Sequence, residues 1–218
     1  GLTTGATYTF ETVTLDTASV AALEAPEGMT DLYNKSSLTL SLAQNNTDDM
    51  FSPTRGFNTG LSFKWSGIGP STYHYLKGIA DVRYYKAVGR VVLASQIKVG
   101  HILSQDDENF IPVEDRFFAG GANSVRGWSR HDLGPKDERR KPAGGHSLLE
   151  GSVECRIPLF GALGSAVFWD FGRVTDSYSD LAQTPLQSIG LGLRFRTPIG
   201  PIRFDIAAPI DKLNKQVL

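Results

Sequence analysis

Along most of this chain apolar and polar residues alternate with a period of two, in runs that reach ten residues or more. In a strand successive side chains point to opposite faces, so such a run has one apolar face and one polar face. Leu191, Leu193 and Phe195 oppose Gly192, Arg194 and Arg196; Ile202, Phe204 and Ile206 oppose Arg203, Asp205 and Ala207. Val167, Trp169 and Phe171 make a wholly bulky face against Ala166, Phe168 and Asp170. Leu38, Leu40 and Leu42, then Leu61, Phe63 and Trp65, then Val82 and Tyr84, then Leu93, Ile97 and Val99 repeat the pattern upstream. About nine strands are predicted, near 8–15, 37–46, 57–66, 73–87, 89–102, 147–158, 164–175, 187–197 and 201–208. Helical spacing is confined to Ser19–Leu23 and the tail from Ile210, neither long enough to stand alone.

Many of these strands exceed the five or six residues usual in globular sheets and approach the length that crosses a bilayer at a tilt. The expected fold is therefore all-β, a transmembrane antiparallel up-and-down barrel present as a partial barrel of about nine strands. Tyr8, Trp65, Tyr73, Tyr75, Tyr84, Tyr85 and Trp169 lie near strand ends, where they suit interfacial girdles. A soluble sandwich or a lipocalin-like ligand-binding barrel shares the same periodicity and would turn the apolar faces inward.

Composition narrows the partners. Among 218 residues, 22 Lys+Arg stand against 23 Asp+Glu, for a net charge of -1. That balance lacks the clustered positive charge of a nucleic-acid binder, so nucleic acid is excluded as a partner. Lys136–Lys141 mixes both signs between Pro135 and Pro142 and reads as a solvated loop tip. The lone Cys155, between Val153 and Ile157 on an alternating run, reads as a small packed hydrophobe. No run approaches a membrane-spanning helix, which leaves a strand-built barrel open.

Connections are unequal. Gly67–Pro70, Ala87–Gly89 and Pro198–Pro201 are tight, whereas a link of about 104–146 is too long to be mere spacer. That link holds RFFAGGANSVRGW, with Arg116, Phe117, Phe118, Gly120, Gly121, Val125, Arg126, Gly127 and Trp128. Its glycines permit backbone conformations closed to other residues, and its aromatics carry apolar mass that a solvated loop would not. The loop is thus expected to fold back onto the wall with Arg126 at its tip. An enclosed guanidinium needs carboxylates. Glu154 and Asp170 both sit on the polar parity of neighbouring strands and are the expected partners. Charge-assisted bonds of this kind contribute about 1.5–3 kcal/mol each, before the cost of burying the charges.

The same motif, followed by GGHSLLEGSVECRIPL (Gly144–Leu159), FWDFG (Phe168–Gly172) and PIGPIRFDIAAPI (Pro198–Ile210), closely resembles the C-terminal barrel half of the BamA/TamA outer-membrane assembly superfamily, the bacterial surface antigen family. FSPTRGF (Phe51–Phe57) looks like that family's strand-turn-strand signature, so the resemblance spans roughly 36–210. It implies that the arginine of VRGW, Arg126, folds into the lumen and pairs with Glu154 and Asp170. It also implies an assembly, insertion or translocation factor that acts without nucleotide, through a weak seam that templates a client strand by edge pairing. A two-partner secretion pore, or the barrel anchor of a patatin-like lipase, is the alternative within the superfamily. Implied partners are outer-membrane lipids, client β-barrel or secreted proteins and accessory assembly subunits. The implied location is the bacterial outer membrane or an organelle outer membrane of bacterial descent.

The chain departs from the family pattern in three respects. Trp128 stands where Phe or Tyr is commoner. The resemblance implies a barrel of usually sixteen strands, so 1–218 is expected to be a C-terminal portion lacking the first barrel strands and the periplasmic repeats. The final strand ending in an aromatic residue is likewise expected to lie outside this portion.

An enzyme is the contrasting class. His74, His101, His131 and His146 are scattered, and no G-x-S-x-G elbow occurs. No catalytic residue, cofactor or metal site is expected, HDLGPKDE (His131–Glu138) reading as a loop. A histidine within about 3.2 Å of a serine would reopen that conclusion.

Overall fold

In the computed structural model the described residues are 1–14, 32–105, 111–197 and 200–210. The expected helical turn at Ser19–Leu23 lies outside them, as does all of the expected tail turn but Ile210. Nine strands follow in chain order: β1 (Leu2–Thr14), β2 (Leu32–Asn45), β3 (Gly56–Ser66), β4 (Tyr75–Val88), β5 (Val91–Ser104), β6 (Ser147–Phe160), β7 (Leu163–Thr175), β8 (Leu186–Thr197) and β9 (Gly200–Pro209). They form one sheet in sequential order, every pair antiparallel. This is an up-and-down partial barrel. Bounds differ from the sequence reading mainly in β1 and β2, which start six and five residues earlier; in β1 the run Thr3–Thr7 of small and polar residues carries little alternation.

Alternation sorts the two faces. On the outer face Leu40, Leu61, Phe63, Val82, Ile97, Val153, Val167, Trp169, Leu191 and Phe204 are exposed. On the inner face Ser37, Ala94, Glu154, Ala166, Phe168 and Asp170 are buried. A surface this apolar over many strands suits hydrocarbon, with the polar positions kept inside. No helix among the described residues is long and apolar enough to cross a membrane.

Two of the expected girdle residues are placed otherwise. Tyr73 and Tyr75 join Tyr33, Ile102, Phe117, Val125, Leu133 and Leu148 in the buried core, and the Tyr33 and Tyr73 rings meet edge-on at 5.1 Å. On β4 the outer parity is Tyr84 and Val82, so Tyr75, nine residues before Tyr84, points inward. Tyr85 takes the inner parity too, under the guanidinium of Arg156 at 5.6 Å. Tyr8, Trp65, Tyr84 and Trp169 remain on the outer face.

The connection between β5 and β6 is not structureless. Backbone bonds join Phe117 to Gly145 and Leu133 to Ala119, a 3-10 turn forms at Val113–Asp115, and Lys136 bridges Pro142 at an exposed tip. This loop touches β2 through Lys35 and β9 through Asp205 and Ala207. Only a sheet curled around the loop brings both within reach.

Candidate functional site: a loop anchored at two poles

Small residues on the inner wall receive the loop. A Cβ on Gly100 of β5 would strike the Phe117 ring, and one on Gly172 of β7 would lie 2.6 Å from the Val125 Cγ2 atom. Gly127, at φ +87°, brings its backbone against Ala207 of β9, where a Cβ would be 3.2 Å from the Ala207 carbonyl carbon. Close approach and positive φ together call for glycine there.

Val125 and Gly127 flank Arg126 and thereby aim it into the wall. Arg126 Nε donates to Asp170 Oδ2 at 2.7 Å and its Nη2 to Asp170 Oδ1 at 2.8 Å, a two-pronged pair. The Arg126 backbone N–H donates to the same carboxylate at 3.1 Å. Nη1 reaches Glu154 Oε2 at 3.0 Å and Asp205 Oδ2 at 3.1 Å, and Nη2 reaches Ser152 Oγ at 3.2 Å. The guanidinium carbon lies over the Phe168 ring, 3.3 Å from its centroid. Arginine alone among cations offers both the fork and the stack.

Burial sharpens this. Asp170 is fully buried, while Arg126 and Glu154 retain only 8% and 7% of their exposure. Charges so placed are tolerable only when paired. Arg194 completes the pairing, donating to Glu154 at 2.8 Å and to Asp205, and Arg156 donates to Glu154 at 2.8 Å. Three cations thus meet three anions. Burial works to lower the Arg126 pKa, but the bonds from Asp170, Glu154 and Asp205 outweigh it and raise it. Arg126 therefore carries its charge at every accessible pH.

The opposite end of the loop is anchored with reversed polarity. Asp115 accepts from Lys35 of β2 at 2.7 Å and Lys64 of β3 at 2.7 Å, while its carbonyl accepts from Lys77 of β4 at 2.5 Å. Glu114 accepts from Tyr33 at 2.6 Å. Lys77 also lies over the Phe117 ring at 4.4 Å. Burial opposes ionisation of Asp115, yet the two lysine bonds prevail and hold its carboxyl at about 2.

The remaining motif residues shape the loop itself. Arg116 donates to the carbonyls of Ile111 and Ala143, tying the loop's two arms together rather than meeting a carboxylate. Phe118 packs on His131 at 4.8 Å, and Trp128 Nε1 donates to the Gln187 carbonyl at 3.4 Å. Gly120 and Gly121 both take φ +103°, and the Gly120 N–H donates to Ser124 Oγ at 2.8 Å. Ser124 in turn donates to Glu150 of β6.

Glu154 and Asp170 were legible from parity on adjacent strands. Asp205, Arg194, Ser152 and the whole Asp115 pole were not drawn into that reading. All of them lie on inward parity or beside the motif, so collecting every inward charge would have found them.

One histidine does come within reach of a serine. His101 Nδ1 and Ser147 Oγ are 2.8 Å apart as a direct cross-strand pair of β5 and β6. Ser147 has no exposed surface, which denies a substrate access, and the Tyr178 ring stands edge-on to His101 at 5.8 Å. Among the described residues no carboxylate is shown orienting that imidazole, so the pair lacks the third group of a nucleophilic triad.

The Omp85 superfamily domain matches residues 1–217. Over 174 residues the chain is 29% identical to the outer membrane protein assembly factor BamA of Nitratidesulfovibrio vulgaris, covering 76% of this chain and 22% of that protein. A SAM50-like protein of Schizosaccharomyces pombe is 27% identical over 202 residues, covering 84% of this chain and 42% of its own length. The chain thus spans less than half the length of these relatives. The crystal structure of Haemophilus ducreyi BamA lacking POTRA domains 1–3 shares the fold, with a TM-score of 0.74 over 96% of this chain and 47% of that one, at 21% identity. The chain belongs to the Omp85 superfamily.

Proposed function

We propose that this chain is barrel wall of an outer-membrane factor that assembles or inserts client β-barrel proteins without nucleotide. The loop anchored by Arg126 is the strut that sets the wall's curvature. The carrying observation is the buried Arg126 guanidinium, which from one loop tip joins β6, β7 and β9. The assembly role itself is supported by the names of the relatives, which are assembly factors of bacteria and a SAM50-like protein of a eukaryote. The outer membrane, bacterial or of an organelle of bacterial descent, is the corresponding location. Lipid meets the outer face. Clients are captured by edge pairing, which satisfies their backbone groups, while local thinning of the bilayer lowers the cost of insertion. No bond-making chemistry is assigned to the chain.

The test is charge reversal in the full-length protein: Arg126→Glu, Asp170→Arg, then both, reading heat-modifiable folding and client assembly separately. Each single change is expected to impair both, because it strands like charges in a buried cluster, and the double change to restore part of each. Normal client assembly in Arg126→Glu would sink the strut.

A further inference from the structure

At the short-turn end the curled sheet leaves an inner chamber of about 600 Å³. Its lining includes Arg83, Arg90, Arg156, Arg194, Arg196 and Arg203, and no aspartate or glutamate. For a chain of net charge -1 that is a strong local excess. Half of these cations are compensated: Arg83 meets Asp81 at 3.1 Å, and Arg156 and Arg194 belong to the Glu154–Asp205 cluster. Arg90 and Arg196 meet no carboxylate among the described residues, and Arg203 makes only a 3.5 Å contact to Asn123 Oδ1. The carboxylates of the β2–β3 turn do not serve them. Asp48 accepts from Thr54 and Arg55, and Asp49 from the Phe51 and Ser52 N–H groups.

Three uncompensated guanidinium groups around one concave space create a positive potential that low-dielectric walls focus. Beside them stand the exposed apolar side chains of Met50 and Phe51. We propose that this chamber binds an acidic polypeptide segment, whose carboxylates pair with Arg90, Arg196 and Arg203 while apolar neighbours rest on Met50 and Phe51. A lipid headgroup is a poorer match, because Arg196 and Arg203 project from the inner face whereas the apolar surface that meets lipid is the outer one. The proposal stands on the chamber alone and does not rest on the assembly reading.

The test is fluorescence anisotropy on the full chain in detergent, with a labelled peptide alternating Asp and Leu, its Lys counterpart, and inorganic pyrophosphate as competitor. The acidic peptide is expected to bind, to weaken as salt is raised, and to lose at least about ten-fold in affinity in Arg90→Ala/Arg196→Ala. Arg203→Ala, an exposed change on β9, repeats the measurement away from the turn, and heat-modifiable migration reports that each variant folds. Equal binding of the Lys peptide, or unchanged affinity in folded variants, overturns the proposal. Displacement by pyrophosphate at concentrations far below those of the peptide overturns it in favour of a phosphate site.

Discussion

At the scale of single residues the loop is held by two ions of opposite sign, each delivered into a cluster of the other sign. Asp115 is the one whose charge can be titrated away. Its carboxyl sits at about 2 in the folded chain against an ordinary 3.8. A lowered folded value means that the contribution is fully present above the unfolded value and is lost as pH falls through the folded one. Lys35, Lys64 and Lys77 face it from three strands, together with Tyr33, Tyr75 and Glu114. Acid should therefore release this arm of the loop between those two values, followed by tryptophan fluorescence or limited proteolysis. Asp115→Asn is expected to abolish that acid step and to cost about 1.5–3 kcal/mol at neutral pH, measured by urea unfolding in micelles. The Arg126 pole was legible in sequence because parity along β6 and β7 puts Glu154 and Asp170 on one face of neighbouring strands. Asp205 shares the inward parity of β9, but nothing local to that strand announces that the sheet curls far enough to bring it to the same guanidinium.

Whole elements meet through notches rather than through matched ridges. Gly100 in β5 accepts Phe117, and Gly172 in β7 accepts Val125. Adding bulk at Gly100 pushes Phe117 off the wall, so Gly100→Val should expose the Phe117 segment to protease and destabilise by about 1–3 kcal/mol. The strands themselves were readable because an alternating run states its own length and faces. The path of the loop was not. Its bonds are long-range, such as Phe117 to Gly145 and Lys35 to Asp115, and no periodicity encodes them. The same limit explains Tyr73 and Tyr75, whose aromatic character fitted a girdle but whose place is set by the loop packed over the end of the sheet.

For the whole molecule the claim is one of inversion, with apolar side chains outside and charge pairs within. Neighbouring positions on β3 test it directly. Leu61 is half-exposed on the outer face, and Ser62 takes the inner parity. Leu61→Arg is expected to lower stability in lipid vesicles by about 2–4 kcal/mol, the range for a charge on the lipid face near the midplane. Ser62→Arg should cost far less. A soluble barrel would give the reverse order. Here strand length favoured a membrane wall, alternation by itself left a soluble barrel open, and family membership agrees with the membrane reading.

The measurement that bears most directly on the account joins all three scales: a disulfide between the loop tip and the wall. A Cβ built on Gly172 lies 2.6 Å from the Val125 Cγ2 atom, so the two positions face each other closely enough for a cysteine pair to test whether the loop tip stays on the wall. In a Cys155→Ser background, Val125→Cys with Gly172→Cys is expected to cross-link spontaneously and nearly completely in the folded, membrane-embedded protein. The same pair should cross-link poorly when Arg126→Glu is added. Free thiols that persist in the folded protein under oxidising conditions would contradict a loop braced against the wall by Arg126.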